Sequence, residues 1–284
     1  MRRIKEAMLT FPSFCWLFFF FIVPACLVYI LAFKTADYTG KILPGWSLET
    51  FYSLFDSRSI SLTIRTMWLS ILTTGISIFI AVPLSYYMAS CKKELQQKLL
   101  LSLMIPLWSS FLVRIFAWKV VLHPEGLVKT VLVFIGIIDE QTILLYNDIA
   151  IVIVMVYSYF PFAVLPLYST ASKFDFQLFE AAMDLGATKR KSFFSIYLPV
   201  IFPSILTASL MVLIPAAGAY VIPEIVGGNG AEMLGNTIVR RVFLDNNLPE
   251  ASTLSLLLSV VVLIPAIVIA TWKASHTSQI KGYS

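Results

Sequence analysis

The sequence predicts an all-α integral membrane protein with six transmembrane helices. Hydrophobic residues make up 58% of the 284 and charged residues 13%, with a mean hydropathy of +0.85, whereas an ordinary soluble domain holds roughly 45–50% apolar residues. Six apolar stretches reach the roughly 20 residues that a helix needs to cross the hydrocarbon core of a bilayer. Each also contains proline, which helices tolerate in lipid where neighbouring helices or a wet cavity satisfy the freed carbonyl.

The first span, 14–33, carries Pro24 and follows Arg2, Arg3 and Lys5; its apolar run exceeds the 7–15 residues of a cleaved signal peptide, so it reads as a retained helix. Span two, 67–89, contains Pro83, and span three, 99–122, contains Pro106. The run 128–138 has about half the needed length and reads as a short surface or re-entrant helix. Span four, 149–169, contains Pro161 and Pro166; span five, 200–222, contains Pro203 and Pro215; span six, 252–272, contains Pro265. The expected organisation is an N-terminal part, 1–60, comprising a cytoplasmic tail, the first helix and an external loop, then a core, 61–284, with a cytoplasmic segment at 173–199.

Charge fixes the expected orientation. With both termini cytoplasmic, twelve lysines and arginines fall inside and seven outside, Arg114 and Lys119 remaining within span three, and cytoplasmic loops are the ones that carry excess Lys and Arg. Eleven of the sixteen acidic residues fall outside, which leaves the external face at a net −4 and favours a cationic ligand there. The basic residues lie in short clusters between spans, a pattern that matches lipid headgroups and not nucleic acid.

Other function classes lack their chemistry. Ion-driven carriers need a group that changes charge in mid-membrane, and no span contains Asp, Glu or His. Cys15, Cys26 and Cys91 have no paired spacing, and His123 and His276 are too few for a histidine metal centre. No Ser/His, Cys/His or paired-carboxylate set falls in a span, which argues against an intramembrane enzyme. Gly126-Leu127-Val128-Lys129-Thr130 lacks the spacing of a phosphate-binding loop, so no nucleotide cofactor is expected on this chain and energy must come from another one. Lys119 is placed to snorkel outward, while Arg114 lies deeper and needs a partner or water.

The cytoplasmic stretch Glu180-Ala-Ala-Met-Asp-Leu-Gly186 has a helical pattern of its own. Asp175 is a helix-capping residue, and Phe179, Ala182, Met183 and Gly186 repeat at i, i+3, i+4 and i+7, one apolar stripe of a short helix. Phe179 and Met183 are the expected anchors in a partner's groove, with Ala182 and Gly186 permitting close approach, Glu180 and Asp184 on the polar face, and Ala181 part of the same segment. Periodicity alone leaves open a helix lying on the lipid surface. Lys189, Arg190 and Lys191 follow the Gly186 stop, where a helix end favours cations.

The order Glu180-Ala181-Ala182, Gly186, Ile196, Leu198-Pro199 resembles the EAA signature of ABC-importer permeases. The blocks 105–122, 161–169 and 215–228 look like those of the permease subunits of spermidine/putrescine importers, so that the resemblance covers nearly the whole chain. It implies the type I, MetI-like fold, a location in the bacterial inner membrane, a second homologous permease, a dimer of ATPase subunits that bind ATP and magnesium, and an external polyamine-binding protein. It further implies that residues 179–186 couple this chain to the ATPase. Permeases for ferric iron or other small solutes share the motif and form the alternative. A polyamine path needs carboxylates and aromatic faces for cation–π contact; Tyr220 and Glu224, four residues apart, are its foremost candidates, followed by Trp108, Tyr157 and Arg114.

Overall fold

Proline and hydroxyl side chains punctuate the helices. The computed structural model describes residues 11–37, 40–228 and 230–281, and divides into two compact units, one formed by the chain up to Thr63 with Leu234–Val261, the other by Ile64–Met233 with the chain from Val262 on. The unit that holds the N-terminal helix thus also includes 234–261. The basic tail Arg2, Arg3 and Lys5 lies outside the described residues.

In the first unit, α1 (Phe11–Leu31) is apolar throughout and buries no residue of its most hydrophobic window, as a lipid-facing helix does. Its π turn, Phe18–Ile22, ends two residues before Pro24. Proline has no N–H to donate and its ring crowds the carbonyl one turn back, a conflict that the wider π turn relieves. Beyond α1, the hydroxyls of Thr50 and Thr253 both donate to the carbonyl of Ala32, at 3.2 and 3.1 Å, satisfying an acceptor that the helix end leaves free. Leu54, Leu234 and Leu254 form the small core of this unit.

The second unit contains most of α2 (Ser57–Ser90), then α3 (Lys93–Met104), α4 (Phe111–Val121), α5 (Leu127–Phe134), α6 (Asp148–Ala171), α7 (Phe176–Asp184), α8 (Lys189–Ala217) and α9 (Val221–Val226). A short helix, Glu49–Tyr52, with a 3₁₀ turn at Ser53–Phe55 belongs to the first unit, and α10 (Leu234–Phe243) and α11 (Leu248–Lys281) follow α9. Helices α6 and α8 pack along each other and bury Ala163, Ala171, Ala208 and Ala216. Small residues allow helices in lipid to approach closely. Within α2 the buried hydroxyls of Ser70 and Thr74 donate one turn back to the carbonyls of Thr66 and Ser70, both at 2.7 Å, so neither is left unpaired in apolar surroundings.

Among the described residues five helices are long and apolar enough to cross a membrane, or six if a bent pair is one span. The third span, expected as one stretch over 99–122, is a bent pair: α3 continues through a 3₁₀ turn, Ile105–Trp108, and meets α4 at 92° across Ser109 and Ser110. It still crosses once. Arg65, near the start of α2, pairs with Asp148 at the start of α6, whereas Gln96, at the start of α3, accepts a hydrogen bond from Tyr168 near the end of α6. The chain between Lys93 and Asp148 therefore passes from one side to the other. The fifth span is displaced from the expected 200–222, since α8 runs from Lys189 to Ala217 and α9 is a separate helix. The 128–138 run forms the short α5, whose Leu127 and Phe134 are exposed.

Candidate functional site

Local chemistry at both ends isolates the segment expected to couple as a short helix. Asp175 accepts a hydrogen bond from the backbone N–H of Gln177 at 2.9 Å, capping α7. At the other end Gly186 takes φ +90°. Its N–H donates to Met183 at 2.9 Å and that of Ala187 to Ala182 at 3.0 Å, the paired bonds of a Schellman stop. Thr188 then accepts from Lys191 N–H at 3.3 Å and caps α8.

The helix faces differently from the sequence expectation. Phe179 is buried, with its ring centroid 5.8 Å from that of Tyr86, and Met183 packs against the same core. Phe179 is thus committed to this chain and is not free as an anchor for a partner, while Met183 is half-buried. The outward face carries Leu178, Ala181 and Leu185, with Leu185 at 90% exposure, and the carboxylates Glu180 and Asp184 beside them. Positions 178, 181 and 185 are themselves an i, i+3, i+7 series. That second stripe is the signal that could have found the outward residues. Ala182 is half-buried between the two faces.

The path candidates separate into groups. Pro223 lies in the first turn of α9, where its missing N–H is harmless, and the N–H of Glu224 donates to the carbonyl of Tyr220 at 3.2 Å. Tyr220 and Glu224 are therefore one helical turn apart, and both are exposed. Tyr220 also lines a cavity of about 130 Å³ with Phe111 and Tyr159. Tyr157 and Arg114 line a larger, mostly apolar cavity of about 640 Å³ in the angle of the bent span. Tyr157 meets Trp118 edge to face at 5.2 Å, and the Arg114 guanidinium sits 5.8 Å from the Phe111 ring with its Nε buried and unpaired. Trp108 stands apart at 78% exposure beside the bend. Lys119 lies 6.0 Å from the Tyr146 ring.

Sequence reasoning did not single out the clasp of the loop after α9. The guanidinium of Arg65 donates to the carbonyl of Gly230 and to Asp148, and Tyr146 N–H donates to Val226 at 2.9 Å. Gly227 and Gly228 leave room for these approaches.

Both α7 and α9 lie within residues 81–276, which match the family described as the binding-protein-dependent transport system inner membrane component. The chain belongs to this family. Its membership, with several membrane-crossing helices, makes it a multi-pass inner membrane protein. Over 247 residues the chain is 33% identical to the spermidine/putrescine transport system permease protein PotB of Haemophilus influenzae, covering 87% of this chain and 86% of that one. It is 28% identical over 261 residues to PotB of Escherichia coli K12, covering 92% and 94%. A crystal structure of a bacterial ABC transporter that imports the acidic polysaccharide alginate superposes with a TM-score of 0.78 at 18% identity, over 96% of this chain and 98% of that one. That likeness concerns the fold of this permease family member.

Proposed function

We propose that this chain is a permease subunit of an ATP-driven polyamine importer, forming half of the translocation pathway beside a second homologous permease. An external binding protein delivers spermidine or putrescine, both termini face the cytoplasm, and ATP with magnesium is held by a dimer of separate ATPase subunits. The similarity to two PotB proteins at 28–33% identity supports the solute class. The observation that carries the coupling role is the exposed face of α7, Leu178, Ala181 and Leu185 flanked by Glu180 and Asp184. A short helix with apolar anchors on an outward face fits a groove in another protein, and closure of the ATPase dimer then favours one state of the permease over the other.

For the solute, Tyr220 and Glu224 offer a ring and a carboxylate one turn apart, the pair that an alkylammonium ion requires. Arg114 in the larger cavity has the wrong sign for a dication, which turns the path toward α9.

Reconstitution with the neighbouring transporter subunits tests the assignment. Leu185→Glu and Glu180→Lys are expected to reduce ATPase recovery on pull-down and to lower uptake of radiolabelled spermidine, with membrane insertion unchanged. Parental pull-down together with parental uptake in both variants contradicts the docking role. Uptake of ferric iron in place of polyamines contradicts the solute assignment.

A further inference from the structure

Behind the outward face of α7 lies a closed group of rings. Tyr86, near the end of α2, is within ring-contact distance of Phe176 and Phe179 on α7, with centroids at 6.0 and 5.8 Å, and of Phe193 and Tyr197 on α8, at 5.3 and 5.0 Å. Phe174, in the turn before α7, closes the group by meeting Phe176 at 5.2 Å and Tyr197 at 5.3 Å. Tyr197 is fully buried, and its hydroxyl lies 3.5 Å from that of Ser85 beside Tyr86. Among these rings Tyr86 is the one that belongs to span two and touches both the coupling helix and the base of span five.

The two spans are interrupted close to this group. Pro83 lies inside α2, three residues before Tyr86, and leaves the carbonyl of Phe79 without its helical donor. In α8 the π turn Phe193–Tyr197 contributes two of the rings and ends two residues before Pro199. Proline kinks and π turns are the places where helices bend. Interlocked rings, by contrast, pack as densely as the rest of a protein interior and transmit displacement instead of absorbing it. The cytoplasmic ends of α2 and α8 are thus joined to α7 as one block, with a proline immediately beyond it in each helix, Pro83 in α2 and Pro199 in α8.

We propose that Tyr86 is a positioning residue that carries displacement of α7 into spans two and five together, so that ATPase closure moves both spans at Pro83 and at Pro199. This inference rests on the ATPase docking to α7, and its test is read in complexes that retain the ATPase. Tyr86→Phe, Tyr86→Leu and Tyr86→Ala are compared in proteoliposomes with the complete transporter and binding protein, measuring ATP hydrolysed per spermidine imported. With the ring kept, Tyr86→Phe should match the parent. The two aliphatic variants should keep ATPase recovery and hydrolysis but raise the ratio about tenfold, within the range of ordinary allosteric coupling.

An unchanged ratio in Tyr86→Leu and Tyr86→Ala overturns the proposal. Failure of both to assemble, while Tyr86→Phe assembles, also overturns it, because the cluster then serves the fold and not transmission. Failure of the docking reading appears separately, as parental ATPase recovery and uptake in the Leu185→Glu and Glu180→Lys variants.

Discussion

Gly186 and Gly228 both adopt the left-handed region, at φ +90° and +71°, yet they are constrained differently. A Cβ on Gly186 would meet nothing within 4 Å, whereas one on Gly228 would lie 2.6 Å from the Cβ of Tyr146, which cannot swing away. Gly186→Ala should therefore cost only the left-handed penalty of about 1–2 kcal/mol. Gly228→Ala should add about 1–3 kcal/mol of overpacking to a similar penalty. Thermal unfolding of the purified assembly should show the larger loss for Gly228→Ala; equal losses would mean that the Tyr146 contact does not constrain the loop. Residue identity made the Gly186 stop legible in the sequence, since the spacing from Glu180 and the lysines beyond it mark a helix end. The contact of Gly228 with Tyr146 was not legible, because it depends on how two distant loops meet.

At the scale of the element, α7 was readable in extent and not in orientation. Its cap, its stop and its apolar content are local, but residues 179, 182, 183 and 186 form one stripe and 178, 181 and 185 another. Which stripe turns inward is decided by Tyr86 and the other rings, which arrive from elsewhere in the chain. The broken third span was missed for a related reason: apolar residues continue on both sides of Ser109-Ser110, and hydropathy does not register a change of direction. The signal was there in Pro106 and in serines preceding an apolar run, a helix-start pattern. The cap of α7 can be tested directly. Asp175→Ala removes the acceptor for Gln177 N–H and should destabilise the helix by about 0.5–2 kcal/mol. ATPase recovery should fall, and Asp175→Asn, which keeps a capping oxygen, should restore most of it. Equal recovery from all three proteins would detach the cap from coupling.

For the whole molecule, the distribution of charge and cavities bears on the cargo. With both termini cytoplasmic, as proposed, the external side would hold seven basic and eleven acidic residues, a net negative charge that would raise the local concentration of cations. Deeper, the cavities differ in character: the one of about 640 Å³ holds the Arg114 guanidinium, and the one of about 130 Å³ is lined by Phe111, Tyr159 and Tyr220, with Glu224 one turn beyond Tyr220. A polyamine is repelled by the first arrangement and suited to the second through its ammonium groups and methylene spacers. A hydrogen bond to a charged group contributes about 1.5–3 kcal/mol, and each 1.4 kcal/mol is about tenfold in affinity. Glu224→Gln should accordingly lower spermidine uptake about tenfold or more at subsaturating concentration, with ATPase recovery unchanged, while Glu224→Asp retains the charge and much of the uptake. Radiolabelled uptake in matched proteoliposomes decides the matter: parental transport by Glu224→Gln removes that carboxylate from the path and moves the search for the cation's route to the second permease.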